Sequence, residues 1–283
     1  LLPLVSQVSV SLSEELSFDV AILSNRTRLL DLDAGRVYAI PRGESAGIVD
    51  EIHARERLPP EVHTPTLYET DTDYPYFVEE FVQGRRPRSP VDDWAALHEG
   101  LQQLKHIHDD PSAVVPVEDV VRDIEQRLET RGLHQEEPFQ AAVSLLDELA
   151  LPESVYRSDI HGDFHARNVL VSDSTAYVLD WEAFKTDYVF RDFFWSFALA
   201  YHDTHDASTF AEMIRDEGRG GRIYESYISS CGESMCDPPH QYSGLPLLYL
   251  LVDVSRKDRS DLWYSYRELI GKLVDQVPER TRS

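Results

Sequence analysis

The chain has 283 residues and a formal net charge of −24, since 51 acidic residues stand against 27 basic ones. This acid excess argues against nucleic acid and anionic membrane surfaces as partners, because both reward lysine and arginine. Hydrophobic residues make up 42% of the chain. No uninterrupted run of about 18 apolar residues occurs, so we expect a folded core and no membrane-spanning helix.

The basic residues are almost all arginine, because lysine occurs only at Lys105, Lys185, Lys257 and Lys272. A carboxylate-rich, lysine-poor chain is typical of proteins that work in high salt, where repulsion between like charges is screened. A GC-rich genome combined with an acidic surface is the alternative explanation. The opening segment LLPLVSQVSV lacks the basic flank and long apolar stretch of a secretory signal, so we expect a cytoplasmic protein.

The first third of the chain predicts a small sheet with one helix. Residues 17–42 contain three short β-prone segments separated by turn-forming residues. A helix is expected from Ser45 to the Pro59-Pro60 pair, and two further strands follow it. The sequence therefore predicts an N-terminal lobe of five strands and one helix over residues 1–84. Arg85–Pro90 is the expected linker.

The rest of the chain has a mainly helical pattern. Apolar residues recur at helical spacing in residues 91–110, 117–133, 138–150 and 259–277, and each of these segments predicts a helix. The fold class is therefore α+β, with a small β-rich lobe followed by a larger helical lobe over residues 85–283.

An apolar hairpin within the helical part is flanked by oxygen-bearing side chains. The β-prone segments VLV and AYVL enclose the turn-like stretch SDST, and pairing about that turn brings Asn168 near Asp180. Asp163 lies five residues before Asn168 on the entering loop. Mg²⁺ prefers such oxygen ligands and needs only one or two carboxylates besides substrate phosphates. Phosphoryl transfer requires that metal and a carboxylate that accepts the hydroxyl proton, a role that Asp163 fits.

The segment HGDFHARNVL, followed by VLDWE, resembles the catalytic and metal-binding segments of aminoglycoside phosphotransferases and choline kinases. Members of this family typically show HGD-x-H-x-x-N and then an apolar strand ending in DWE. YFVEEFVQG is similar to the family's hinge strand, LKHIHDD to a helix end, and RDFFWSFAL places Asp192 like its structural aspartate. The resemblance runs from about Arg36 to Leu199 and implies a two-lobed protein-kinase-like fold.

The resemblance also implies a role for each motif residue. Asp163 would be the catalytic base, and Asn168 and Asp180 would be the Mg²⁺ ligands. His161 would brace the loop through hydrogen bonds without reacting.

For the nucleotide, the resemblance implies a hinge that offers adenine the backbone C=O of Glu80 and the N–H of Val82. Glu51, on the first helix, would be the ion-pair partner of a phosphate-binding lysine on the third strand. This sequence departs from the family there, because Ala39 occupies the position of that lysine. Arg36 and Arg42 are the nearby candidates for replacing it.

The sequence thus predicts a kinase of small molecules that transfers the γ-phosphoryl group of ATP (or GTP) to a hydroxyl with Mg²⁺. The acceptor would be a small metabolite, amino sugar or amino alcohol. Because Ala39 removes a charge-assisted contact, the alternative is a weak or inactive module of the same fold that binds nucleotide and regulates. A metal-dependent phosphoesterase would need further histidine ligands, and no second motif supplies them.

Overall fold

The computed structural model of the chain describes residues 20–23, 26–42, 46–108 and 113–277. The segment LLPLVSQVSV, on which the expectation of no secretory signal rests, lies outside these ranges, as does the expected helix start at Ser45. No helix within the described ranges combines the length and apolar character that crossing a membrane requires.

Five antiparallel strands and one helix form the N-terminal part, in the segments that the sequence pattern indicates. The strands are β1 (Val20–Leu23), β2 (Arg26–Asp31), β3 (Arg36–Pro41), β4 (Leu67–Asp71) and β5 (Tyr76–Glu80), and the helix is α1 (Ala46–Glu56). Their order across the sheet is β1-β2-β3-β5-β4. Ile48 and Ile52 of α1 pack on Ala39 and Phe77, which forms a small apolar core between helix and sheet.

The C-terminal part is mainly helical and has the larger core. Its helices are α2 (Trp94–His108), α3 (Val117–Thr130), α4 (Glu137–Leu146), α5 (Phe190–Thr204), α6 (Ser208–Arg215), α7 (Gly218–Cys231), α8 (Leu245–Arg256) and α9 (Asp261–Gln276). Helix α8 is buried from Leu245 to Ser255, because it is apolar on nearly every side and other helices surround it. The fold class is α+β, as predicted, with a small sheet region followed by a larger helical region.

A four-stranded sheet in this second part was not expected from the sequence. It consists of β6 (Ala113–Pro116), β7 (Ser154–Ile160), β10 (Lys185–Tyr188) and β11 (Cys236–Asp237), and all three other strands pair with β7. The expectation of mostly helix after the linker was therefore incomplete. Strand β7 matters for the site, because it delivers the chain directly to His161.

The predicted hairpin forms between β8 (Val169–Ser172) and β9 (Thr175–Val178). Its two-residue turn, Asp173-Ser174, has φ values of +46° and +74°, which match the twist of an antiparallel pair. The backbone N–H of Leu179 donates to the C=O of Asn168 at 2.8 Å. The register that brings Asn168 beside Leu179, next to Asp180, is thus confirmed.

The linker is fastened to this hairpin by backbone contacts. The N–H of Arg85 donates to the C=O of Val171 at 3.0 Å, and the N–H of Val171 donates back at 2.8 Å. A Cβ atom on Gly84 would lie 2.5 Å from the same carbonyl oxygen, so only glycine allows this approach. The linker therefore runs directly over the hairpin that carries the predicted metal ligands.

Candidate active site

A cavity of about 580 Å³ lies between the five-stranded sheet and the β8–β9 hairpin. Leu30 and Val37 line it from the sheet, Leu170 from the hairpin and Val82 from the hinge that follows β5, so apolar side chains face it from both sides. The predicted polar residues of the hairpin line the same cavity, namely Asp163, Asn168 and Asp180. The structure thus brings an apolar slot and an oxygen-rich group together in one space.

The loop that enters the hairpin is held by a buried carboxylate. Asp192, at the start of α5, accepts hydrogen bonds from the backbone N–H groups of His161 and Gly162 at 2.8 and 2.9 Å. Burial raises the pKa of Asp192, while the nearby His161 and the two backbone donors oppose this rise. Gly162 has a φ of +81°, and a Cβ atom there would lie 2.2 Å from the carbonyl oxygen of Ala183. This position therefore requires glycine.

His161 lies fully buried beneath the loop. Its Nε2 lies 2.9 Å from the carbonyl oxygen of Leu179, and its Nδ1 accepts the backbone N–H of Asp163 at 3.2 Å. The ring also contacts Trp181, with centroids 4.6 Å apart. These contacts join the loop to the far strand of the hairpin, which is the geometry of a bracing residue.

Asp163 presents its carboxylate at the edge of the cavity. Its Oδ1 accepts the indole N–H of Trp195 at 2.8 Å, and its Oδ2 accepts the side-chain amide of Asn168 at 3.1 Å. Partial burial works to raise the pKa of Asp163. Hydrogen bonding to His165, the positive potential of His165 and His161, and the Trp195 donor together outweigh that effect, so the pKa is lowered. The carboxylate is therefore ionised at neutral pH.

Asp180 begins the turn after β9 with a φ of +67° and contacts an arginine that the sequence analysis did not single out. Arg26 of β2, only 2% exposed, donates to Asp180 Oδ1 at 2.9 Å. The same guanidinium also bonds Glu51 of α1 and Glu182. Burial disfavours the Arg26 charge, but the three carboxylates outweigh this and raise its pKa.

The predicted nucleotide residues are distributed unequally around the cavity. Glu51, Glu80 and Val82 line the cavity. Arg42, which is exposed and directly follows β3, is not among the described residues that line the cavity. Arg36, the other proposed replacement for the missing lysine, lies over the ring of Tyr68 at 5.4 Å. Neither arginine is among the described residues that line the cavity, so the supply of the cation by Arg36 or Arg42 stays a prediction.

Glu79, an acidic residue immediately before the hinge, also lines the cavity. It forms a salt bridge of 2.5 Å with Arg55, which stands one helical turn after Glu51 on α1. Arg55 is buried and also donates to the backbone C=O of Pro65. The charge of Glu79 is thus neutralised by an arginine of the helix that packs beside the sheet.

Comparison with protein families decides the identification. The phosphotransferase enzyme family matches residues 23–227, which is more than two thirds of the chain. The chain belongs to the phosphotransferase enzyme family. Comparison with curated protein sequences finds no match.

Solved structures of phosphotransferases and related kinases have the same fold. Aminoglycoside phosphotransferase APH(4)-Ia is 13% identical, with a TM-score of 0.53 over 92% of this chain and 94% of that chain. An aminoglycoside phosphotransferase from Alicyclobacillus acidocaldarius is 13% identical, with a TM-score of 0.52 over 98% and 97%. A choline/ethanolamine kinase family protein from Mesorhizobium loti is 12% identical, with a TM-score of 0.51 over 95% and 91%. At these identities the likeness establishes the fold, a two-lobed kinase-like architecture, as predicted.

The oxygen atoms of Asn168 and Asp180 in this phosphotransferase suit a hard cation that keeps water or phosphate oxygens as its other ligands. Within the described ranges, no group of three or more His, Cys, Asp or Glu side chains is arranged to hold a metal ion. Mg²⁺ does not need such a group, because phosphate oxygens and water complete its shell. The Asn168 amide nitrogen is engaged by Asp163, at the backbone C=O and at Oδ2, so its amide oxygen is the atom left for a cation.

Sequence reasoning missed Arg26, Arg28 and Trp195 as site residues of this phosphotransferase. Trp195 stands among phenylalanines, a pattern typical of core packing, and only the fold reveals its hydrogen bond to Asp163. The available signal for the two arginines was the alternation of side chains along β2. This alternation places Arg26, Arg28 and Leu30 on one face of the strand. Which face that is depends on the register with β3.

Proposed function

We propose that this phosphotransferase is a small-molecule kinase that transfers the γ-phosphoryl group of ATP (or GTP) to a hydroxyl group. The observation that carries the proposal is the ionised Asp163, held by Trp195 and Asn168, in the same cavity as Asp180. A positioned carboxylate next to further oxygen ligands is what in-line phosphoryl transfer to an alcohol requires.

Asp163 accepts the proton of the attacking hydroxyl. The indole N–H of Trp195 occupies one lone pair of Oδ1, while Oδ2 accepts the Asn168 amide and lies 3.5 Å from His165 Nε2, and these contacts fix the direction of the remaining lone pairs. Asn168 and Asp180 would hold Mg²⁺, which would neutralise charge on the donor's phosphates when bound. His161 keeps the loop and the hairpin in register and takes no part in proton transfer.

The apolar end of the cavity is proposed to hold the base of the nucleotide. Val37 and Leu170 offer apolar surface from opposite sides of the cavity. The backbone C=O of Glu80 and N–H of Val82 would pair with the edge of the ring. The backbone N–H of Glu80 donates to the backbone C=O of Thr66 at 2.9 Å, which keeps the end of β5 extended.

The acceptor is proposed to be a small alcohol-bearing metabolite, amino sugar or amino alcohol. A second cavity of about 120 Å³ lies on the other side of the catalytic loop, between His165, Ser196, Leu199 and Asp203. Its size suits a compact molecule. Asp203 is paired with Arg167, so this space carries no uncompensated acid that would by itself select a polycation.

A catalytically weak or inactive nucleotide-binding module is the second candidate function. It is favoured by Ala39, which leaves β3 without a cation for the phosphates. It is disfavoured by the intact arrangement of Asp163, Asn168 and Asp180, since a module that only binds nucleotide needs no proton acceptor.

Turnover distinguishes the two candidates. The purified chain is incubated with ATP and Mg²⁺ in about 1 M KCl, with and without pooled hydroxyl compounds, and ADP release is followed. We expect release that depends on one acceptor class and falls by about 10²-fold or more in Asp163→Asn. Asp173→Asn, in the exposed turn of the same hairpin, is the matched control and should retain full activity. ATP binding without acceptor-dependent ADP release would favour the inactive module.

A further inference from the structure

Two arginines of β2 stand beside the position where the family's lysine is missing. In the sheet, Arg28 is directly opposite Ala39, and Arg26 is opposite Pro41. Opposed residues of an antiparallel pair project from the same face, and Val37 lines the cavity from that face. The positive charge that is missing at position 39 of β3 is therefore present one strand away, on the same side of the sheet.

Arg26 occupies the place in the network that an ion-paired lysine would fill. It is buried and joins Glu51 of α1 to Asp180 and Glu182 beyond the hairpin. A guanidinium has several donors in a fixed plane, so it can bond three carboxylates at once, which a single ammonium does less well. Arg26 thus ties the helix of the first lobe to the predicted metal ligand of the second.

Arg28 and Arg86 differ from Arg26, because they line the cavity without a carboxylate partner among the residues that the structure describes. Both line the cavity, and the side chain of neither forms a hydrogen bond or ion pair with another described residue. Partial desolvation and the neighbouring Arg28 charge lower the pKa of Arg86, while Asp180 works in the opposite direction. By contrast, the adjacent Arg85 points to Asp93 at 2.9 Å.

Two arginines line one cavity without a hydrogen-bonded or ion-paired carboxylate among the described residues, in a chain that has 51 acidic residues. Like charges at short range repel, and desolvation of a guanidinium adds to the cost. An anion bound between the two side chains would remove both penalties. Phosphate oxygens match the fork of an arginine, and the cavity is already the proposed nucleotide site.

We propose that Arg28 and Arg86 bind the phosphates of the donor, and that Arg26 replaces the β3 lysine as the residue that positions Asp180. The identity of the anion rests on the proposed kinase function. Anion binding by Arg28 and Arg86 can be measured without any turnover.

The first experiment measures anion binding by titration calorimetry, with inorganic tripolyphosphate and with Mg²⁺-ADP as probes. Arg28→Gln and Arg86→Gln should each weaken both probes by about 10-fold, and the double variant by more, because each loses a charge-assisted contact. Arg85→Gln is the control and should bind as the wild type does. Equal affinity of the double variant and the wild type for tripolyphosphate would overturn the assignment.

The second experiment tests the positioning role of Arg26. Arg26→Met keeps apolar volume but removes the charge, so kcat should fall more than the affinity for Mg²⁺-ADP. Adding Ala39→Lys to Arg26→Met returns a cation to β3 and should restore part of kcat. If the thermal midpoint recovers in this double variant while kcat does not, the role of Arg26 is structural only.

The two proposals fail in distinguishable ways. If the wild type transfers phosphoryl groups while the arginine variants bind both probes normally, the kinase proposal stands and the arginine assignment falls. If no acceptor supports turnover but tripolyphosphate binding still depends on Arg28 and Arg86, the arginine pair stands as an anion site and the kinase proposal falls.

Discussion

The geometry of the site is set by a few residues that orient other residues. Asp192 is buried and accepts two backbone N–H groups of the loop that enters the hairpin, and Gly162 supplies the left-handed conformation that makes this possible. Asp163 is then held by the indole of Trp195 and the amide of Asn168, and its Oδ2 also lies 3.5 Å from His165 Nε2. Each of these contacts restricts rotation of the carboxylate, so its remaining lone pairs are directed before any ligand binds.

His108 is expected to make the folding stability depend on pH. It is buried at the end of α2, and neither ring nitrogen has a hydrogen-bond partner among the described residues. Burial lowers its pKa to about 3. Below the ordinary value of about 6.5, the unfolded chain takes up a proton that the folded chain does not, so stability present above that pH is lost as the pH falls.

The measurement is urea unfolding at pH 7 and pH 5 for the wild type and His108→Leu. The loss of unfolding free energy between the two pH values should be smaller by about 2 kcal/mol in the variant. His134→Leu, which replaces an exposed histidine, is the control and should leave the loss unchanged. An equal loss in the wild type and His108→Leu would show that His108 is solvated or paired.

At the residue scale, the sequence indicated which oxygen-bearing side chains lie together, but not which basic side chains join them. Asp163, Asn168 and Asp180 could be placed because their spacing about a short hairpin defines their proximity. Arg26 and Arg28 could not, because their relation to Ala39 depends on the register between two strands. Such registers are set by the packing of a whole sheet face, which single positions do not encode.

At the scale of elements, the β8–β9 hairpin carries the site, and its turn holds a serine in a backbone conformation that serine rarely adopts. Asp173 and Ser174 both have positive φ, and serine has no special preference for that region. Ser174→Gly should therefore raise the unfolding free energy by roughly 0.5–1 kcal/mol, since glycine adopts this conformation without steric cost. Urea unfolding at neutral pH is the measurement.

Ser172→Gly is the matched control for this prediction, because Ser172 is the neighbouring strand residue with no such conformation. It should lower the unfolding free energy, since glycine weakens a strand. Both variants should retain the wild-type affinity for Mg²⁺-ADP. Destabilisation by Ser174→Gly would mean that the turn conformation differs from the one described.

The elements that the sequence missed share one property, which is long-range pairing. Strand β7 joins β6, β10 and β11, and these come from three separate parts of the chain. Its segment SVYRSDI is short and mixes polar with apolar residues, so no local periodicity distinguishes it from a loop. The helices α2, α3 and α9 have long apolar stripes, and these were predicted close to their observed bounds.

At the scale of the whole molecule, the charge of −24 predicts a stability that increases with salt. Glu125 and Glu129 illustrate the effect, because they are exposed and four residues apart on α3. Like charges at this spacing repel by roughly 0.2–0.5 kcal/mol in low salt. Glu125→Gln combined with Glu129→Gln should therefore raise the urea midpoint in dilute buffer.

In about 2 M KCl the same double variant should unfold at the wild-type midpoint, because the repulsion is then screened. Replacing KCl with an equal osmolality of sucrose controls for effects of excluded solute. If the wild type gains no stability between dilute buffer and concentrated KCl, the high-salt interpretation of the composition is wrong.

The division into lobes at residue 84 stays a prediction, which limited proteolysis in the linker can test.

The affinity for nucleotide with and without Mg²⁺ tests the central claim most directly, namely that Asn168 and Asp180 hold a metal beside Asp163. Calorimetric titration of ADP in Mg²⁺ and in EDTA should show tighter binding with the metal for the wild type and for Asp163→Asn. In Asp180→Asn the metal should give little or no gain, because a ligand oxygen and its charge are lost. An undiminished gain from Mg²⁺ in Asp180→Asn would contradict the claim.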